Sequence, residues 1–261
     1  MAGSVTALLA ALASALGQRG FDLVTPFSVR LVNERMKSGF ELPLLGRADA
    51  LGVVVGNSRA LWQPFVDSLC DEAFRSPHPL DAYVERSFER ILAELGFAAL
   101  PAPARHWLGF SHQLTPRPLP MQKLADAAGL ARLGPAHLNV HPRLGPWLAL
   151  RAVVVFDLPP PAPLPTPSPS PCVGCAAPCR AALRDALAGE PLAGHPHSAP
   201  LGLNESQKRF LRVRDVCPVG TSYRYGTRQI VYHYANDPGA LGPEELGWDD
   251  LVPDELGPSA G

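Results

Sequence analysis

Residues 159 to 171 read PPPAPLPTPSPSP, and that stretch constrains the chain more than any other. Proline has a fixed φ and no backbone donor, so the segment suits neither a helix interior nor a central strand. The expectation is an extended, polyproline-type linker. It separates a core of residues 1–158 from a smaller cysteine-containing segment of residues 172–235, which either packs back on the core or stands alone. A second loose stretch, GEPLAGHPHSAPLG, covers residues 189–202. The tail, residues 236–261, is acidic and rich in Gly and Pro, a composition expected to be poorly ordered.

The core segment has the means to fold. Hydrophobic residues make up 46% of the 261, enough to bury a substantial interior. Lys+Arg number 23 against 24 Asp+Glu, which argues against a nucleic-acid binder that tracks phosphates with a basic face. No run of 18 apolar residues suggests a membrane span. The opening MAGSVTALLAALASALGQRG has no basic n-region of the kind a signal peptide carries, and Val5, Leu8, Leu9, Leu12 and Leu16 fall at helical spacing. It is expected to be an amphipathic first helix. Five cysteines, three of them within eight residues, suit a metal or redox site better than a secreted disulfide framework. The resulting expectation is a cytoplasmic protein, monomeric or homodimeric.

Residues 4–18 read as helix, and ALGVVVGN (50–57) as a buried strand. Ser58 can cap a helix whose Leu61, Trp62, Phe65 and Leu69 share a face, and residues 80–95 repeat that pattern. A helix over 120–134 starts at Pro120 and stops near Gly129 or Gly134. WLALRAVVVFDL (147–158) reads as a strand covered on both faces. QIVYHYA (229–235) fits a strand or a short helix. The absence of a Gly-rich βαβ signature favours an α+β layered sandwich over a doubly wound sheet.

The most informative stretch is HQLTPRPLPMQKLADAAGLARLGPAHLNVHPRLGPWLALRAVVVF, residues 112–156. Gly134 and Gly145 suggest a backbone approached closely by something large and flat, Trp147 an apolar slab, and His141-Pro142-Arg143 a turn before the strand. Arg151 puts a permanent cation in an apolar strand and is expected to meet an anion. Taken alone, such an arginine is more often half of a structural salt bridge.

Together and in order, these residues resemble two related families. One is the CblC family, which removes cyanide or alkyl groups from incoming cobalamin. The other is epoxyqueuosine reductase, a cobalamin and iron–sulfur enzyme of tRNA modification. Both have a cobalamin-binding domain similar to the flavin nitroreductase sandwich. The HPR-x-G-x-W-x-x-x-R order ending in Arg151 favours CblC. So do TPFSVRLVNERMKSGFELPLLG (25–46), the Arg214-Asp215 pair and RYGTRQIVYHY (224–234).

The resemblance implies cobalamin contacts at Leu119, Pro120, Met121, Gln122, Leu133, Gly134, Asn139 and Leu150, to which the slab Trp147 is added. It implies that Arg151 and Arg214 hold the carboxylates of glutathione, and Tyr225, Tyr232 and His233 are candidates to cover the upper face. Departures stand beside these. The family's third glutathione arginine falls near Ala240, a histidine of its helix is Asp126 here, and residues 130–138 lack an aromatic insert.

Cys172-x2-Cys175-x3-Cys179, followed by Cys217-Pro218, is the sharpest chemical signal. Ferredoxin-type sites hold [4Fe-4S] with C-x2-C-x2-C and a later C-P, so the second gap here is one residue long. Four thiolates could hold one cubane or a Zn2+, or stand as free thiols. Epoxyqueuosine reductase resembles this region in place. Cys70, next to Leu69 on a helix face, reads as core, and His195 and His197 form only a weak H-x-H.

The implied activity is base-off binding of cobalamin with removal of its upper axial ligand. Reduced flavin (FMN or FAD) would drive decyanation and a thiol such as glutathione would drive dealkylation. No catalytic side chain is assigned. The alternatives are an epoxyqueuosine reductase-like enzyme and a non-catalytic cobalamin carrier that works with delivery and acceptor proteins.

Overall fold

The computed structural model describes residues 2–69, 76–98, 105–115, 117–167, 169–190, 200–235 and 241. Cys70, His195, His197 and Ala240 lie outside the described residues, as does all of the tail except Leu241.

Four antiparallel strands form the central sheet in the order β1-β2-β6-β3. They are β1 (Leu23–Ser28), β2 (Leu51–Asn57), β3 (His106–Phe110) and β6 (Ala149–Phe156). A small hairpin pairs β4 (Arg132–Leu133) with β5 (Asn139–Val140). The two central strands are apolar on both faces because both faces are covered. Val53, Val55, Ala152, Val154 and Phe156 turn to one core, and Val54, Val153 and Val155 to the other. A period of two shares one continuous apolar run between two interiors.

The first core is roofed by α1 (Ala2–Gly17), α3 (Trp62–Ser68), α4 (Pro79–Ala98) and α8 (Thr227–Ala235). On α1 the predicted stripe faces inward, with Val5, Leu8, Leu12 and Leu16 all buried. Fully burying one such side chain contributes about 1.5–3 kcal/mol, so the stripe is a main contribution to docking the helix. The second core is covered by α2 (Val29–Asn33) and α5 (Met121–Ala128). α6 (Pro178–Ala188) packs on α7 (Glu205–Asp215) through Ala182, Ala186 and Val213.

The helix expected over 120–134 ends at Gly129, whose φ of +83° admits glycine at little cost, and the following residues turn into β4. The 229–235 segment is helical, as part of α8. α7 begins with a capping box in which Asn204 and Gln207 satisfy each other's backbone donors. The described residues between 159 and 171 form no helix or strand, and Pro167 lies against the Gly129 turn. The residues after the linker return to the sheet: Leu211, Tyr225, Ile230 and Val231 are part of the first core.

Candidate functional site

The site begins with an irregularity in β6. Val55 pairs with Ala152 and Gly56 with Leu150, so Arg151 is an extra residue opposite β2. Such a bulge re-aims a side chain. Here it carries Arg151 out of the alternation and into a cavity beneath α8.

That cavity has a volume of about 410 Å3 and is lined by Arg151, Arg214, Tyr225, His233 and Tyr234 among apolar neighbours that include Leu138 and Phe210. A second cavity of about 220 Å3 shares Leu138, Ala149 and Arg214 with it and extends to Met121, Gln122, Asn139 and Leu150. The two form one cleft between the start of β6, the start of α5 and the α7–α8 unit.

Its polar groups are incompletely satisfied. Arg151 Nε donates to Asn57 Oδ1 at 2.7 Å, but Nη2 is buried with no hydrogen-bond partner. Tyr225 Oη and His233 Nε2, in the same cavity, are also buried and unpartnered. No ion pair to Arg151 or Arg214 occurs among the described residues; Arg214 instead lies over the rings of Trp147 and Tyr225 at 5.9 and 6.0 Å. The anion expected beside Arg151 is therefore not a carboxylate of the described protein. Burial opposes the charge of Arg151, and burial followed by the two arginines pushes His233 down to about 3, leaving its imidazole neutral. Burial raises Tyr225 above the usual phenol range.

Asn139 is oriented by its surroundings. Its Nδ2 donates to the carbonyls of Gln122 at 3.0 Å and Ala131 at 3.1 Å, which consumes both hydrogens and leaves a buried, free acceptor at Oδ1. Gln122 Nε2 donates to the carbonyl of His137 at 2.6 Å, which fixes the α5 start against the β4–β5 hairpin.

Of the nine residues expected to touch cobalamin, Met121, Gln122, Asn139 and Leu150 line the cleft. Pro120 stands just before α5, Leu119 is half-buried against the second core, and Leu133 is exposed on β4; these three do not line it. Trp147 is 1% exposed and sits behind the cleft against Tyr225, so it supports the wall and offers no open face. Arg151, Arg214, Tyr225 and His233 do meet in one cavity, whereas Tyr232 packs in the core against Trp62 and Phe65.

The two glycines admit the chain's own backbone. A Cβ on Gly145 would meet the Val219 carbonyl oxygen, and one on Gly134 would meet Val140 and the Leu138 carbonyl. The HPR turn is built by His141, whose Nδ1 accepts from the backbone N–H groups of Arg143 and Leu144, both at 3.2 Å. Burial, then the Arg143 charge, holds that imidazole below its usual range, in keeping with an acceptor.

One relationship escaped the sequence reading. Asp215, with a fully buried side chain, accepts from Arg224 Nε at 2.7 Å and Nη2 at 3.1 Å. The RD and RY motifs are thus two halves of one ion pair, which fixes the backbone on either side of Arg214 and Tyr225.

Cys172, Cys175, Cys179 and Cys217 line a separate cavity of about 20 Å3, although Cys217 comes from beyond α7. Among the described residues, no three His, Cys, Asp or Glu side chains already stand as a metal-holding group. Burial raises Cys179 and Cys217 above the usual thiol range.

No family model matches the chain, and no curated protein matches it in sequence. Among solved structures, it is similar to the C. elegans B12-trafficking protein CblC, a homologue of human MMACHC. The TM-score is 0.67 at 18% identity, over 94% of this chain and 99% of that one. The likeness is one of fold. Among the described residues no helix is long and apolar enough to cross a membrane.

Proposed function

We propose that this chain binds cobalamin base-off in the cleft between α5, β6 and the α7–α8 unit, and removes its upper axial ligand. The observation that carries the reading is the convergence of Arg151 Nη2, Tyr225 Oη and His233 Nε2, all buried and unpartnered, in one cavity. Buried polar groups are normally satisfied, and a set of orphans around one space points to a ligand that satisfies them. The similar fold belongs to a protein described as trafficking B12.

The cleft suits both parts of the chemistry. On the α5 side, Met121, Leu148 and Leu150 offer apolar contact to a corrin plane, and the free Asn139 Oδ1 suits an amide N–H of the corrin periphery. In this reading the sandwich is the nitroreductase type adapted to a corrinoid. On the α8 side, Arg151 and Arg214 suit the carboxylates of a thiol such as glutathione, held as charge-assisted pairs. Arg224 cannot serve as a third, because Asp215 occupies it.

Two reactions follow. In dealkylation the thiolate sulfur bonds to the alkyl carbon, the cobalt–carbon pair stays on cobalt, and the products are a thioether and cob(I)alamin. In decyanation an electron from reduced flavin enters cobalt and cyanide leaves as an anion. The redox chemistry belongs to the corrinoid; the protein binds, orients and excludes water. Removing the lower base is the step to observe first. Methylcobalamin mixed with the protein turns from red towards yellow, and an unchanged spectrum at saturating protein overturns the reading. Turnover of cyanocobalamin with reduced flavin then separates a catalyst from a carrier.

A further inference from the structure

We propose that Cys172, Cys175, Cys179 and Cys217 form a mononuclear tetrathiolate site for a zinc-like divalent cation, clipping the segment after the linker to the turn that follows α7. The proposal is independent of the cobalamin reading.

The fold itself makes the first case. Cys172–Cys179 leave the linker and enter α6, while Cys217 lies two residues past the end of α7, yet all four line one cavity. Cys172 and Cys175 span a turn in which the Cys175 N–H donates to the Cys172 carbonyl at 3.2 Å, an arrangement that can bring two sulfurs towards one centre. The remaining walls are four prolines, Pro135, Pro171, Pro178 and Pro218, with Val140, Ala177 and Val219. These walls are stiff and apolar, and no Lys or Arg lines the cavity to balance a thiolate. A metal ion supplies that charge and lets the thiols ionise.

Size selects the occupant. A cavity of about 20 Å3 holds one water-sized body. A single ion with metal–sulfur bonds of about 2.3 Å is the smaller of the two occupants that four thiolates can hold. A four-iron cubane is several times larger than that space. With four protein ligands and no open position, the site is structural.

The clip bears on the cleft. Cys217 leads directly into Val219 and Gly220, whose backbone presses on Leu144 and Gly145 ahead of β6. Loading the site fixes the end of α7, and with it Arg214, relative to the strand that carries Arg151.

The test uses the full chain purified under reducing conditions without added metal, then titrated separately with Zn2+ and Co2+. Expected are one zinc per chain by elemental analysis and protection of four thiols from a thiol reagent, reversed by a chelator. Co2+ is expected to give the intense bands of a tetrahedral thiolate complex. Cys175→Ser and Cys217→Ser should each weaken zinc binding at least tenfold and change the cobalt charge-transfer band. Four thiols equally reactive with and without zinc would overturn the site. Iron and sulfide in equal, fourfold amounts in protein purified anaerobically would overturn its mononuclear form.

Discussion

Arg151 Nε donates to Asn57 Oδ1 at 2.7 Å across β2 and β6, and this bond aims the rest of the guanidinium at a cavity with no protein anion among the described residues. Asn57 is itself buried, and its Nδ2 is spent on the Ser58 carbonyl at 2.7 Å, so its oxygen is presented to Arg151 in one orientation. A neutral acceptor orients the arginine without neutralising it. A structural ion pair would have done both, and the proposed function reserves this side chain for a ligand.

Arg151→Met tests that reservation. A hydrogen bond to a charged group contributes about 1.5–3 kcal/mol, so glutathione affinity should fall about 10- to 150-fold by calorimetry. Stability should hold or rise, because the substitution removes a buried charge with no counter-charge. A fall of several degrees in Tm with unchanged affinity would make Arg151 structural.

Asp215→Asn should behave in the opposite way. It removes half of a buried bidentate pair and leaves Arg224 uncompensated, a change that costs about 3–5 kcal/mol. Urea denaturation should show that loss. Adding Arg224→Met should recover part of it, since replacing both partners with apolar groups is far less costly than removing one.

Acid should weaken the fold through His141 and His233. Both imidazoles are held below the unfolded value of about 6.5, His233 at about 3. The unfolded chain therefore binds more protons than the folded one below pH ~6.5, and the contribution, complete above that value, is lost as pH falls. For His233 the slope is at most about 1.4 kcal/mol per pH unit, continuing towards its folded value. The difference in stability between parent and His233→Gln, measured from neutral pH to pH 4, isolates it from the carboxylates. A difference independent of pH would show that His233 is not held neutral by the fold.

Much of the architecture was legible because it rests on periodicity. Val5, Leu8, Leu12 and Leu16 announced α1, and the unbroken run around Val153–Phe156 announced a strand with two covered faces. What periodicity could not carry was missed. His106–Phe110 is a five-residue strand with a glycine in it, too short and mixed to show alternation. The site was half legible. Arg151 stood out because a charge in an apolar strand is costly, but the bulge that aims it depends on register with β2, which no local pattern encodes. The Asp215–Arg224 pair joins charges nine residues apart through the turn after α7, and sequence alone gives such charges no reason to meet. Trp147 reads in the sequence as an apolar slab because its chemistry suits one; its burial comes from Tyr225 and the arginines packed over it.

Gly145 gives the last test, since its role changed between sequence and structure. The sequence suggested room for a flat ligand, whereas the space is filled by the chain itself. Its φ is +57°, and a Cβ there would collide with the Val219 carbonyl oxygen, which no side chain can accommodate without moving backbone. Gly46 separates the two costs: its φ is +83°, and a Cβ there meets nothing within 4 Å. Gly46→Ala should therefore lose only the left-handed penalty, about 1–2 kcal/mol. Gly145→Ala should lose that and the displacement of the Val219–Gly220 turn as well, by a further margin readable in the same denaturation experiment. Because that turn follows Cys217 and α7, the displacement should also weaken ligand binding at Arg214, which Gly46→Ala leaves intact. Equal losses for the two variants would mean that the turn yields freely, and that the contact between Gly145 and Val219 does not hold α7 against the sheet.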